Sequence, residues 1–310
     1  MEAGIKVFAP ATVANVAVGF DILGFALEKP GDEIVARFSD TPGLRITKIT
    51  GANGKLPMDV NKNTAGFAAL KLLEHLGEEK RGIELEIHKK MPFGSGLGSS
   101  AASAAGAVMA VNELLRRPLE KRALLLFAVL GEQVADGAYH ADNVAPSLIG
   151  GLILIRNNES LDVHRLPVPA GIHATVIYPH VEILTKDARN VLSSTVSLQQ
   201  CIHQNGNMAG LLVGLYQSDL ELIGRSLNDV IIEPQRACLI PQFHAVKEAA
   251  LKAGALGCSI SGAGPSIFAL SANSLIAEEA GLAMKRIFDS AGIPNDLFLS
   301  PINQEGAVKL

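Results

Sequence analysis

No run of apolar residues in this sequence approaches the ~18 that a membrane span requires. No block of basic residues stands out either: 27 Lys and Arg face 31 Asp and Glu, a net charge of −4. The first absence argues against a membrane-spanning helix and the second against nucleic acid as a partner. Cysteine is scarce. Cys201, Cys238 and Cys258 are odd in number and far apart, which fits reduced thiols in the cytoplasm better than disulfides or a zinc site. None of the eight histidines falls in an HExxH pattern. No internal repeat and no low-complexity segment interrupts the chain. Its opening, MEAGIKVFAPATVANVAVG, is mildly apolar but carries Glu2 and Lys6, so it reads as a first strand and not as a signal peptide.

What the chain does have is apolar bulk. It is 48% hydrophobic and 19% charged over 310 residues, enough for about two domains and a large core. Strand and helix patterns intermix without regular βαβ alternation, which predicts a mixed α+β fold and not a doubly wound sheet. Strand-like runs cover Ile5 to Ala9, Glu33 to Phe38 and residues 44 to 50. An amphipathic helix is predicted from Ala65 to Leu76 with Asn63 as its N-cap, and a longer one from Leu119 to Gly137. The polar, proline-bearing stretch 157 to 171 marks a domain boundary, and a strand from His173 to Tyr178 opens the second half. The last ten residues look peripheral.

The most informative stretch is PFGSGLGSSAAS, Pro92 to Ser103, with Gly94, Gly96 and Gly98 followed by two serines and a run of small residues. Ile83, Leu85 and Ile87 alternate with polar residues before it, a half-buried strand. Val108, Val111, Leu114 and Leu115 follow at helical spacing. Strand, glycine loop and helix start thus succeed one another. Glycines let a backbone approach a ligand closely and turn its amides inward. Ser99 or Ser100 can cap the helix, and the helix N-terminus adds the positive end of its dipole, which makes an anion site for phosphate. A Walker A loop needs Lys where Gly98 stands, and the dinucleotide fingerprint needs Gly where Ser99 stands, so both are excluded. The remaining alternative is a tight turn before a closely packed alanine helix. The full twelve-residue string is far more specific than a lone glycine loop.

G-L-G-S-S-A-A after a proline, opening a helix, resembles the second motif of the GHMP kinases, a family of small-molecule kinases. Further matches are similar to its homoserine-phosphorylating branch: PATVANVAVGFDILG near the start, HADNVAP at 140 to 146, and CSISGAGPSIFAL at 258 to 270. The resemblance covers nearly the whole chain. It implies a two-domain GHMP kinase fold, with a ribosomal-protein-like α/β domain at 1–160 and a ferredoxin-like domain at 161–310.

The resemblance also implies roles. Pro92, Phe93, Gly94, Ser95, Gly96, Leu97, Gly98, Ser99, Ser100, Ala101 and Ala102 would hold ATP, with Asn63 against the base or simply capping its helix. Ser100 and Glu132 would hold Mg²⁺, a hard cation that needs only one or two protein oxygens when phosphates and waters supply the rest. Asn15, Asp21, His140, Asp142, Arg189 and Arg236 would bind L-homoserine. Carboxylates suit its ammonium and the arginine forks suit its carboxylate. Asn143 and Thr185 would act at the transferring phosphoryl. Mevalonate- and galactose-acting relatives carry Asp where Asn143 stands. An amide accepts no proton at neutral pH, so no evident general base remains there. Asp21 and Glu132 also have plainer readings, a loop carboxylate bound by amides and a solvated helix carboxylate, and the arginines could be surface charges. The implied activity is phosphorylation of the L-homoserine hydroxyl for threonine biosynthesis, in the cytoplasm. A homodimer is common in the family, but no interface can be read from the sequence.

Overall fold

The computed structural model describes residues 4–310, apart from Phe93, Ala138 and the side chains of Ala135, Asp136 and Thr185. In chain order the strands are β1 (Ile5–Ala14), β2 (Leu23–Phe38), β3 (Leu44–Thr50), β4 (Ile83–His88), β5 (Leu152–Asn157), β6 (Asp162–Leu166), β7 (His173–Pro179), β8 (Gly257–Ile260), β9 (Ile267–Ser271), β10 (Asn295–Pro301) and β11 (Val308–Lys309). The α-helices are α1 (Thr64–Leu76), α2 (Ser99–Leu114), α3 (Leu125–Asp136), α4 (Val144–Ile149), α5 (Thr185–Asn190), α6 (Leu198–Gln217), α7 (Leu220–Ser226), α8 (Glu233–Arg236), α9 (Phe243–Lys252) and α10 (Ser274–Ser290).

The first sheet runs β11-β1-β2-β4-β3, with β5 and then β6 branching from β2. Its pairs are antiparallel except β3 with β4. Central to this half is α2, whose face-to-face neighbours include α1, α3, β1 and β2. Alanines 101, 102, 104, 105, 107 and 110 are essentially buried, and a side chain at Gly106 would meet Ile34 at 2.7 Å. Small residues let the helix lie close to the sheet on one side and to other helices on the other.

The second sheet is antiparallel, in the order β10-β7-β9-β8. Numbered within this half, that is 4-1-3-2, with helices between β7 and β8 and α10 between β9 and β10; this is the ferredoxin-like arrangement. The rings of Phe25 on β2 and Phe268 on β9 meet edge to face with centroids 6.0 Å apart, so the halves share core.

Two expectations are corrected. The end of the chain is not peripheral: β11 pairs with β1, Asn303 bonds through its backbone to Ala26 and Gly151, and Ala307 is fully buried. The predicted helix from Leu119 is broken into a 3₁₀ turn at Lys121–Leu124 and α3. The polar stretch 157–171 contains β6, which forms a hairpin with β5. A boundary at 160/161 falls inside that hairpin; we propose that the domains divide after Leu166, with β11 returning to the first.

Candidate active site

The glycine loop follows β4 and leads into α2. Gly94, Gly96 and Gly98 all have left-handed φ, at 67°, 78° and 65°, where other residues are strained. Space is equally restrictive at two of them. A Cβ on Gly98 would sit 2.1 Å from Thr12 Oγ1 and 2.7 Å from Asn143 Oδ1, and one on Gly96 would sit 2.7 Å from the carbonyl oxygens of Ser261 and Gly264. The N-cap of α2 is Gly98, with no side chain capping it. The predicted serine cap is therefore corrected. Ser99 Oγ turns to Asp32 at 3.4 Å and Ser100 Oγ to Thr64 Oγ1 at 3.1 Å. Leaving the first turn of α2 without a side-chain cap keeps it suited to an anion. Phe93 lies outside the described residues.

Asn143 precedes α4. Thr12 donates its hydroxyl to Asn143 Oδ1 at 2.7 Å, which fixes the amide and leaves its NH₂ as the outward donor. Burial pushes the Lys89 ammonium down, opposed by Asp32 and, from α3, by the nearby charge of Glu132, and Lys89 Nζ bonds the Ser99 carbonyl. Glu132 thus lies beside the α2 turn that carries Ser100. One carboxylate and one hydroxyl fit a hard cation completed by phosphate oxygens. No cluster of three acidic, histidine or cysteine ligands exists among the described residues.

The charged residues gather in a second group. Asn15 (φ 71°) and Asp21 (φ 61°) hold left-handed conformations, and Asp21 N–H donates to Asn15 Oδ1 at 3.0 Å. Arg189, on α5, forks onto Asp21 with 3.0 and 3.2 Å bonds, and His140 Nε2 is 3.7 Å from Asp21 Oδ2. Arg236 closes α8, is 3% exposed, and donates to the carbonyls of Ala188 (2.8 Å) and Gly262 (3.2 Å). Asn15 Nδ2 donates to the same Gly262 carbonyl at 2.8 Å. The loop between β8 and β9 thereby ties the two halves together at the site.

Burial and like charge strain this group. Loss of water pushes Arg236 down to about 10, and Arg189 adds to the effect, opposed by Asp21, Asp229 and Asp142. Burial, aided by the Asp21 charge, pushes Asp142 up to about 7 against the pull of Arg189. A wider groove of about 920 Å³, lined by Ile5, Phe38, Arg81 and Arg116 among others, lies at the opposite end of α2, about 22 Å away by helix rise, and takes no part.

Asn15, Asp21, His140, Asp142, Arg189 and Arg236 are thus brought together, as are Gly98, Ser99, Ser100, Glu132 and Asn143. Thr185 opens α5, four residues before Arg189, but its side chain lies outside the described residues. Asn63 is a correction in emphasis. Its Oδ1 accepts from Ala65 and Gly66 amides, and its Nδ2 donates to the Pro57 carbonyl at 2.9 Å, so the side chain is occupied in its own turn as a cap. Four residues were missed. Thr12 and Phe20 both stand inside the first motif, and Phe20 underlies the guanidinium groups of Arg189 and Arg236 at 5.6 and 4.9 Å. Asp32 and Lys89 pair in the interior; Asp32 stands in the charged run Glu28–Glu33, where nothing marks it as buried.

The pattern described as "GHMP kinases N terminal domain" matches residues 63–151, and that described as "GHMP kinases C terminal" matches residues 211–290. A homoserine kinase of Chlorobium phaeovibrioides is 49% identical over 98% of this chain and 98% of its own. The crystal structure of homoserine kinase from Cytophaga hutchinsonii superposes with a TM-score of 0.98 at 55% identity, covering 100% of this chain and 98% of that one. The Methanococcus jannaschii mevalonate kinase, at 16% identity and a TM-score of 0.71 over 97% and 99% of the two chains, shares the fold. With both family patterns in place and near-full-length identity of this order, the chain belongs to the GHMP kinase family and, within it, to the homoserine kinases.

Proposed function

We propose that the protein transfers the γ-phosphoryl group of ATP to the side-chain hydroxyl of L-homoserine, giving O-phospho-L-homoserine for threonine biosynthesis. The observation that carries this reading is the pairing of opposite charges in one cleft. Asp21 and Asp142 suit an ammonium, and Arg189 and Arg236 suit a carboxylate. A sugar or a mevalonate-like acid has no use for the first pair.

Each group then has a task. The amides of residues 94–98 and the first turn of α2 receive the phosphates. Ser100 and Glu132 would hold Mg²⁺, which neutralises developing charge on the phosphoryl oxygens. Asn15 and His140 line the amino acid beside Asp21, and we assign Thr185 to the transferring phosphoryl by motif alone. Asn143, its oxygen held by Thr12, donates from its NH₂ and orients without taking a proton. Phosphoryl transfer is carried mainly by positioning and charge stabilisation, so no dedicated base is needed.

A coupled ADP-release assay with L-homoserine, mevalonate and galactose tests the assignment. Turnover with homoserine alone is expected, and turnover with another of the three at comparable kcat/KM defeats it. No helix of the described residues is long and apolar enough to cross a membrane. We place the enzyme in the cytoplasm, on its scattered free thiols, and propose a homodimer, which light scattering of the purified protein would test.

A further inference from the structure

Lys89 follows β4, and its backbone N–H still bonds the Thr50 carbonyl at 2.9 Å. Its side chain turns inward, where it is 3% exposed, onto Asp32 of β2, which is 0% exposed. All three ammonium donors are used: Asp32 Oδ2, the Ser99 carbonyl at 2.6 Å and Ser103 Oγ at 2.7 Å. Asp32 is as fully engaged. Its Oδ1 accepts from the amides of Lys90 (2.8 Å) and Met91 (3.2 Å), and its Oδ2 also accepts from Ser99 Oγ.

These partners are not scattered through the core. Lys90 and Met91 are the entry to the glycine loop, and Ser99 and Ser103 are its exit into α2. Between them the chain passes three glycines at positive φ, the backbone type that loses most entropy when ordered. One ion pair therefore grips both ends of this glycine-rich segment. Burying an ion pair brings no dependable gain in stability over apolar residues of similar volume, so its placement here points to a positional role. Holding a loop in its binding geometry beforehand lowers the cost of binding.

We propose that the buried Lys89–Asp32 pair is a positioning device for the nucleotide, clamping both ends of the glycine loop so that its amides stand in place before ATP arrives. Neither residue touches the nucleotide; both act through Lys90, Met91 and Ser99. The inference rests on the assignment of this loop to ATP.

The test uses the full chain with both charges removed together, Asp32→Asn with Lys89→Met, so that no lone charge is left buried. Binding of the non-hydrolysable analogue β,γ-imido-ATP with Mg²⁺ is measured by calorimetry, beside thermal melts and both KM values. The expected result is a cooperative melt, an analogue Kd raised about tenfold or more, and a homoserine KM within about twofold of the parent. A cooperatively melting double variant that binds the analogue as tightly as the parent overturns the proposal and leaves the function intact. If the double variant does not melt cooperatively, Ser103→Ala decides. That change is expected to weaken analogue binding about threefold at unchanged homoserine KM, and an unchanged Kd overturns the clamp. Failure of the parent protein to bind the analogue would overturn the nucleotide reading itself, and the clamp with it.

Discussion

The two sides of the cleft are built in opposite ways. The nucleotide side is continuous in the chain: residues 92 to 103, made mostly of backbone, with φ angles that glycine alone adopts freely. The amino acid side draws on residues as far apart as Asn15 and Gly262 and works through charged side chains. Its groups act on one another at a cost. Arg189 is forked onto Asp21, Arg236 is stripped of water, and Asp142 is pushed up to about 7. A backbone cradle needs local conformation and little else. A zwitterion clamp needs unlike charges brought out of water, which only distant segments packed together can supply.

Glu132→Ala strikes the proposed cation site on the nucleotide side and should have the largest effect. Mg²⁺-dependent kcat is expected to fall roughly 10³-fold while the melting temperature stays within a few degrees; near-normal turnover in steady-state assays would remove Glu132 from the metal site. Arg236→Leu separates the sides. The homoserine KM should rise roughly 10- to 100-fold, the worth of charge-assisted hydrogen bonds, with the ATP KM unchanged. Equal changes in both would mean that the two sides are not independent.

Asp142→Asn probes the strain directly. The unfolded carboxyl titrates near 4 and the folded one near 7, so the folded state keeps a proton that the unfolded state has lost. Raising pH through that window withdraws stability. Removing the charge should therefore raise the melting temperature by a few degrees at pH 8 and by almost nothing at pH 4, while the homoserine KM rises about tenfold. In the parent enzyme the homoserine KM should climb as pH falls below about 7, because the ammonium seeks the ionised carboxylate. A flat KM profile from pH 6 to 8 would contradict this. Asn63→Ala should do least. Loss of the cap of α1 costs about 1 kcal/mol, visible as a small fall in melting temperature, with the ATP KM within about twofold. A larger rise would restore the contact with the base.

Much of the first side was legible. The order strand, glycine loop, helix is a statement about neighbours in the chain, and Pro92 to Ser103 carry it in full. The loop between β4 and α2 was placed correctly, but not the cap of α2. Serine was expected at the N-cap, yet Gly98 stands there because Thr12 and Asn143 leave no room for a Cβ. On the other side, motif resemblance named Asp21, Asp142, Arg189 and Arg236, while composition and spacing alone left the arginines as surface charges. Phe20 was passed over because a Phe in an apolar run resembles any other core residue until two guanidinium groups are seen over its ring. Lys89 was missed for a related reason. A Lys at a strand end is ordinarily solvated, and only the depth of Asp32 in β2 draws it inward.

The sequence alone determined the elements whose causes are local: the alternating strand before the loop, the glycines at positive φ, and the small residues that let α2 sit close to its sheet. It also determined, through its motifs, the family. Only the tertiary structure decided which charges face one another, that the chain's last strand closes the first sheet, and that one buried pair grips both ends of the glycine loop. Those outcomes depend on burial and on partners tens to hundreds of residues away. Charge and hydrogen bonding are strong only where packing excludes water, and no local pattern records where that will be.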